Sequence, residues 1–149
     1  MIITEISSFL TFDAVCCAAA QAGVLTGHKR GVWSVDWSAD SSRAVTASKD
    51  GTWRLYDMTE GISFCKCIRE GNSELGEITK IALSKDGSVI AAVVGTAIQF
   101  IRSSDNTVLD TIPQAHGLTI NALAFAPDAA LLASVSDDCF IKMWTVPEC

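Results

Sequence analysis

The chain has 149 residues, enough for one ordinary domain, with 11 basic against 17 acidic side chains and a formal net charge of −6. That acidic balance argues against a surface built to neutralise phosphates, which carries a basic stripe, so no nucleic-acid partner is expected. No uncharged stretch reaches the roughly 17–25 apolar residues of a membrane helix, so no membrane insertion by this segment is expected either.

Residues 1–23 fit none of the patterns that follow them. Their first eleven positions hold an acidic residue and no basic one, unlike the basic start of a signal peptide. Residues 18–25 are apolar apart from Gln21 and read as an outer strand ahead of the first folded unit; a non-native start of the reading frame is the other reading. The first unit begins at Gly27 and His28. Val32, Val35 and Trp37 are spaced as the apolar side chains of a short half-buried strand, and Ala39, Asp40, Ser41 and Ser42 carry turn chemistry. Residues 44–48 give a second strand, Lys49, Asp50 and Gly51 a second turn, and residues 52–57 a third strand. Three strands joined by tight turns make a β-meander, with a fourth expected from the segment before Gly27.

A degenerate unit follows. Ile78, Ile81 and Leu83, then Lys85, Asp86, Gly87 and Ser88, repeat the first strand and turn 46 residues on, and residues 98–101 match residues 53–56 at a shift of 45. The last unit restores the full pattern. His28, Thr46, Asp50 and Tyr56 recur as His116, Ser134, Asp138 and Trp144, each 88 residues later, at offsets of 18, 22 and 28 from the histidine. In the middle unit Ala92 replaces the hydroxyl residue, Ile101 the aromatic, and Glu74 stands near the histidine place. Packing against neighbours is expected to hold that unit instead.

Such a quartet has a physical job. A buried imidazole must pair both ring nitrogens or lose about 1–3 kcal/mol. The hydroxyl and the carboxylate supply those partners, and the Trp144 indole N–H adds a donor from the third strand. Tyr56 takes the tryptophan place in the first unit and donates from a different position, so the first network is expected to be the looser one.

Half of 88 is 44 residues, inside the period of about 40–45 residues found in WD40 blades. With Gly27 and His28, residues 47–57 and residues 134–138 leading to Trp144, the chain resembles the WD40 repeat family from residue 25 to about residue 146. The resemblance implies an all-β, partial WD40 β-propeller of about three four-stranded antiparallel blades, at about residues 24–60, 61–105 and 106–146. A closed ring needs four to eight blades, and so little follows Trp144 that the last blade is expected to lack its outer strand. The expected arrangement is an open fragment of a seven-bladed ring, or a ring completed by another molecule. Within the family, residues 47–57, the network-poor middle unit and residues 81–84 resemble the last three repeats of transducin β-like proteins. That finer resemblance implies an endoplasmic-reticulum stress-signalling adaptor, in the cytoplasm or on the cytosolic face of that membrane, with a stress-responsive kinase among its partners.

The resemblance implies a non-catalytic scaffold that binds other proteins. Propeller partners dock on rim loops, which here carry Lys29, Arg30, Lys49, Thr119 and Asp137, with Trp33 beside them. A hydrolase is the competing reading, because Ser134, His116 and Asp138 are the residue types of a nucleophilic triad. Duplication opposes it: a structural network needs a copy in the first unit, and an active site does not. Ser134 also lies between Ala133 and Val135, without the glycines of a nucleophile elbow. A nucleic-acid-binding propeller is the third reading, opposed by the charge and by the lack of an aromatic–basic stripe. The six cysteines show no Cys-x-x-Cys spacing and both histidines are claimed by the quartets, so neither a metal nor a cofactor is expected.

Overall fold

Residues 20–148 are described by a computed structural model, and the readings placed on residues 1–19 lie outside them. The strands are β1 (Val32–Trp37), β2 (Arg43–Ser48), β3 (Thr52–Asp57), β4 (Lys66–Asn72), β5 (Ile78–Leu83), β6 (Val89–Val94), β7 (Ala97–Arg102), β8 (Val108–Ile112), β9 (Ile120–Phe125), β10 (Leu131–Ser136) and β11 (Ile141–Thr145). They form three antiparallel sheets in meander order, β1 to β4, β5 to β8 and β9 to β11. The fold is all-β, and the last sheet has three strands where the first two have four.

Alternation along each strand decides which sheet it meets. In β2, Val45 and Ala47 point toward the middle sheet and join Trp53, Leu55, Ile81, Leu83, Ile90 and Ala92 in one core. The opposite face of the middle sheet sends Val89, Ala91, Val93, Ile98 and Phe100 into a second core with Ile120, Phe125 and Leu132 of the last sheet. Sandwiched this way, every residue of β6 is buried, which is why its six positions are all apolar rather than alternating. Two polar contacts pin the first interface: Leu83 N–H donates to Asp36 Oδ2 at 2.9 Å, and Ile81 N–H donates to Ser34 Oγ at 3.2 Å.

Turn chemistry repeats with the strands. Ser38 Oγ donates to Asp40 at 2.6 Å and Ser42 N–H donates to the same carboxylate at 3.0 Å. Ser84, Asp86 and Ser88 reproduce both contacts between β5 and β6. Each turn between the first and second strands places one residue in left-handed backbone: Ser41 at φ 60°, Gly87 at 75° and Ala129 at 59°. Each turn between the second and third strands does the same with Gly51 at 80°, Gly95 at 62° and Cys139 at 68°.

One expectation needs correcting. The fourth strand of the first sheet is β4, which follows the meander, and residues 20–31 hold no strand. The reason is one of chain path: leaving β3 through a short connection, the backbone returns along the free edge of β3, with Tyr56 opposite Cys67 and Thr52 opposite Asn72. Strand β8 closes the middle sheet in the same way, with Ile98 opposite Ile112.

Candidate functional site

The last quartet is drawn from four parts of one sheet: His116 from the loop before β9, Ser134 from β10, Asp138 from the turn after it, and Trp144 from β11. His116 Nδ1 lies 2.8 Å from Asp138 Oδ2, His116 Nε2 lies 2.7 Å from Ser134 Oγ, and Trp144 Nε1 donates to Ser134 Oγ at 2.8 Å. An ionised carboxylate can only accept and an indole N–H can only donate, and the two ends together set the direction of the chain when the ring carries one proton. Asp138 accepts from Nδ1–H, which leaves Nε2 to accept the Ser134 proton, while the Ser134 oxygen accepts from Trp144. The His116 side chain and Ser134 are both 0% exposed, because this face of the sheet packs against β6 and β7. Asp138 also accepts from Gly117 N–H and Phe140 N–H, each at 3.0 Å. Burial opposes its ionisation, but those amides and His116 outweigh it and hold the carboxyl down to about 2.

The first quartet is built from the same places and closed differently. His28 Nε2 lies 2.8 Å from Thr46 Oγ1, yet Nδ1 lies 3.0 Å from Thr52 Oγ1 and 3.4 Å from Asp50 Oδ2. Thr52 in turn donates to Asp50 Oδ1 at 2.6 Å, so a hydroxyl stands between ring and carboxylate. Tyr56 packs with Ala44 and Met58, and it helps to keep the Arg54 guanidinium charged. This quartet lies on the face turned away from the middle sheet, where Leu25 covers its neighbours. Asp50 is held well below the usual carboxylate range: burial works against that, and the Thr52 hydroxyl with the Lys29 and Thr52 amides overcomes it.

Several contributing residues escaped the sequence reading. Ser48 and Ser136 accept the N–H of Asp50 and Asp138, at 3.1 and 3.2 Å, and their 88-residue spacing was there to be seen. Arg54 and Lys142 share that spacing. Arg54 bonds Glu70 across β3 and β4 at 2.9 Å, and Lys142 Nζ donates to the Ala115 carbonyl at 2.7 Å. Arg54 also explains Gly27: a Cβ there would overlap the guanidinium, and φ is 136°. Thr52 carried no such signal, because its counterpart is Phe140. In the middle sheet Ala92 and Ile101 are buried among other apolar side chains, and Glu74 is exposed.

The rim residues fall into two groups. Lys29, Arg30 and Trp33 are exposed on the first sheet, and Lys49 Nζ sits 5.7 Å from the Trp33 ring centroid. Arg30 reaches Glu77 at 3.8 Å, an exposed pair that bridges to the loop before β5. On the last sheet Thr119 and Asp137 are exposed and joined, Asp137 N–H donating to the Thr119 carbonyl at 3.1 Å. Asn121 and Asp137 occupy the places of Trp33 and Lys49, and Asn121 Nδ2 donates to Asp137 at 2.6 Å. One rim position thus presents a cation over an aromatic ring on the first sheet and a carboxylate with an amide on the last.

Ser134, His116 and Asp138 have the contact order of a triad, with the serine fully buried. The serine hydroxyl is sealed between two sheets, and its oxygen already accepts the indole proton.

The family pattern described as "WD domain, G-beta repeat" matches residues 20–57 and 106–145, its first match starting inside the segment read as non-repeat. Transducin beta-like protein 2 of Mus musculus is 32% identical over 120 residues, covering 76% of this chain and 27% of that protein. The guanine nucleotide-binding protein subunit beta of Arabidopsis thaliana is 32% identical over 133 residues, covering 85% of this chain and 35% of that protein. Elongator complex protein 2 of Drosophila melanogaster is 31% identical over 157 residues, covering 93% of this chain and 19% of that protein. The chain therefore spans between about a fifth and a third of the length of these relatives. Two quartets at one spacing, three meander sheets packed face to face and the matched pattern agree: the chain belongs to the WD40 repeat family.

Proposed function

We propose that this chain is a non-catalytic scaffold that holds other proteins on the rim of its first sheet. The observation that carries the reading is the exposed Trp33 ring with Lys49 Nζ 5.7 Å from its centroid, on a rim that also exposes Lys29 and Arg30 and whose loop is tied to Asp50 through the Lys29 N–H. An aromatic ring with a cation over it, near two further exposed cations, is well suited to a protein surface that offers carboxylates and a flat apolar group. Thr119 and Asp137 extend the contact on the last sheet with the opposite charge, which gives a partner a defined orientation. Among the described residues no helix is long and apolar enough to cross a membrane. The resemblance to transducin β-like proteins supports the finer reading, an adaptor at the cytosolic face of the endoplasmic reticulum serving a stress-responsive kinase.

The test is affinity capture from cell extract with the chain and with a Lys29→Glu, Arg30→Glu double variant. Partners recovered by the native chain are expected to be lost or sharply reduced with the variant. Equal recovery would remove Lys29 and Arg30 from the contact surface. The finer reading fails separately, if the recovered proteins include no kinase.

A further inference from the structure

The first and middle sheets leave a groove beside their outer strands, a cavity of about 450 Å³. Both walls are complete four-stranded sheets, so its shape does not depend on what stands against β1 or β11. Two sequence features open it. Gly71 lies opposite Trp53 in the β3–β4 ladder, and a Cβ there would come within 2.4 Å of the indole, so the glycine lets that ring lie against β4 as the floor. On the other wall the β7–β8 register slips between Phe100 and Ile101. The slip sets Thr111 beside Gln99 and Val108 beside Ile101, and all four line the groove. Asn106 Nδ2 donates to the Glu70 carbonyl at 3.0 Å, a bond between the two walls that holds their separation.

The charge of the groove comes from Glu74, and no lysine or arginine among the described residues lines it. Glu74 stands 46 residues after His28, where a strut would begin, in a unit whose hydroxyl place holds Ala92. The carboxylates on either side of it in sequence are already matched: Glu70 bonds Arg54 at 2.9 Å and Glu77 reaches Arg30 at 3.8 Å. Glu74 has no cation among the described residues. The amides of Asn72 and Gln99 and the hydroxyl of Thr111 have no side-chain partner among them either. Leu75 and Val108, 60% and 52% exposed, stand on opposite walls.

We propose that this groove takes an extended segment of a partner protein that carries a lysine or arginine next to an aliphatic side chain. The cation pairs with Glu74, and the aliphatic group is buried between Leu75 and Val108. Primary amides and a hydroxyl both donate and accept, which suits the alternating N–H and C=O groups of a peptide backbone. An acidic segment would meet a like charge at Glu74 and is rejected. The groove does not rest on the rim reading: the rim around Trp33 presents cations, whereas the groove requires one, so the two surfaces select segments of opposite charge.

The experiment titrates the peptide acetyl-Ser-Leu-Arg-Val-Thr-Ser-amide into the isotope-labelled full chain and follows amide and indole resonances by NMR. Shifts are expected at residues 72–75, at residues 108–111 and at the Trp53 indole N–H. Glu74→Gln should weaken binding about fivefold, the scale of one partly exposed ion pair. Leu75→Ser should weaken it about tenfold through lost apolar contact. Both side chains are exposed, so each variant should keep the native spectrum, and Leu75→Ala replaces Leu75→Ser if it does not. The same peptide with glutamate in the arginine place should leave the groove resonances unmoved. Absent shifts, shifts confined to other residues, a variant that binds as the native chain does, or equal binding of the glutamate peptide would each overturn the proposal.

Discussion

The middle and last sheets reach the same geometry by opposite chemistry. Where the last sheet has Ser134 and Trp144, the middle has Ala92 and Ile101, and in both the strands keep the same register to their neighbours. The middle sheet is covered on both faces, so apolar burial alone fixes β6 and no hydrogen-bonded strut is needed. The last sheet is covered on one face, and its loop before β9 is tied down by His116, Ser134 and Asp138. The first sheet has the strut on its open side, and there a threonine hydroxyl has entered between ring and carboxylate. A polar network thus anchors the loop that enters its sheet, in the first and last sheets alike, and the middle sheet holds the same strands with apolar side chains alone.

Substitutions that break each kind of support in turn sharpen this comparison. Phe100→Ala, in the fully buried side of the middle sheet, should cost most, about 3–5 kcal/mol by denaturant unfolding. His116→Ala should cost about 1–3 kcal/mol, since it leaves the Ser134 hydroxyl proton without its acceptor and takes a donor from Asp138 in a closed site. His28→Ala should cost less than His116→Ala, because Thr52 already bonds Asp50 and no indole shares the hydroxyl of Thr46; equal costs would mean that the fourth member adds nothing to the strut. Acid should weaken the last network next. Asp138 is normally near 3.8 and is held down to about 2, so its contribution is complete above its unfolded value and is lost as pH falls through the folded one. Thermal melting should therefore drop between pH values of about 4 and 2, and Asp138→Asn should shallow that drop. Glu74→Ala should be nearly silent, within about 0.5 kcal/mol, as an exposed side chain outside any network.

Much of this architecture could be read from residue types. The 88-residue spacing located both quartets because a histidine, a hydroxyl residue and a carboxylate are chemically specific and must keep their distances. Thr52 stayed hidden because Phe140 stands at its counterpart and erases the repeat there. Tyr56 kept the aromatic place but packs with Ala44 and Met58 beside Arg54, whose charge is paired across strands with Glu70. The outer strand β4 was assigned to the wrong side of the unit for a simpler reason. Its residues are nearly all exposed, so the run Lys66–Asn72 has no apolar alternation to announce it. Periodicity also tells which side chains share a face, but not which sheet lies opposite; that is why the difference in cover between the two quartets emerged only from packing.

The left-handed turn positions lead to a practical end. The middle sheet has glycine at both of its turns, Gly87 and Gly95, whereas residues 41, 129 and 139 force a side chain into the same backbone shape. An L-residue loses roughly 1–2 kcal/mol there, and glycine gives back some of that through the entropy of the unfolded chain. Ser41→Gly, Ala129→Gly and Cys139→Gly should each raise stability by up to about 1 kcal/mol. Lying on separate hairpins, the three gains should sum, yielding a sturdier protein in which no contact between sheets has been altered.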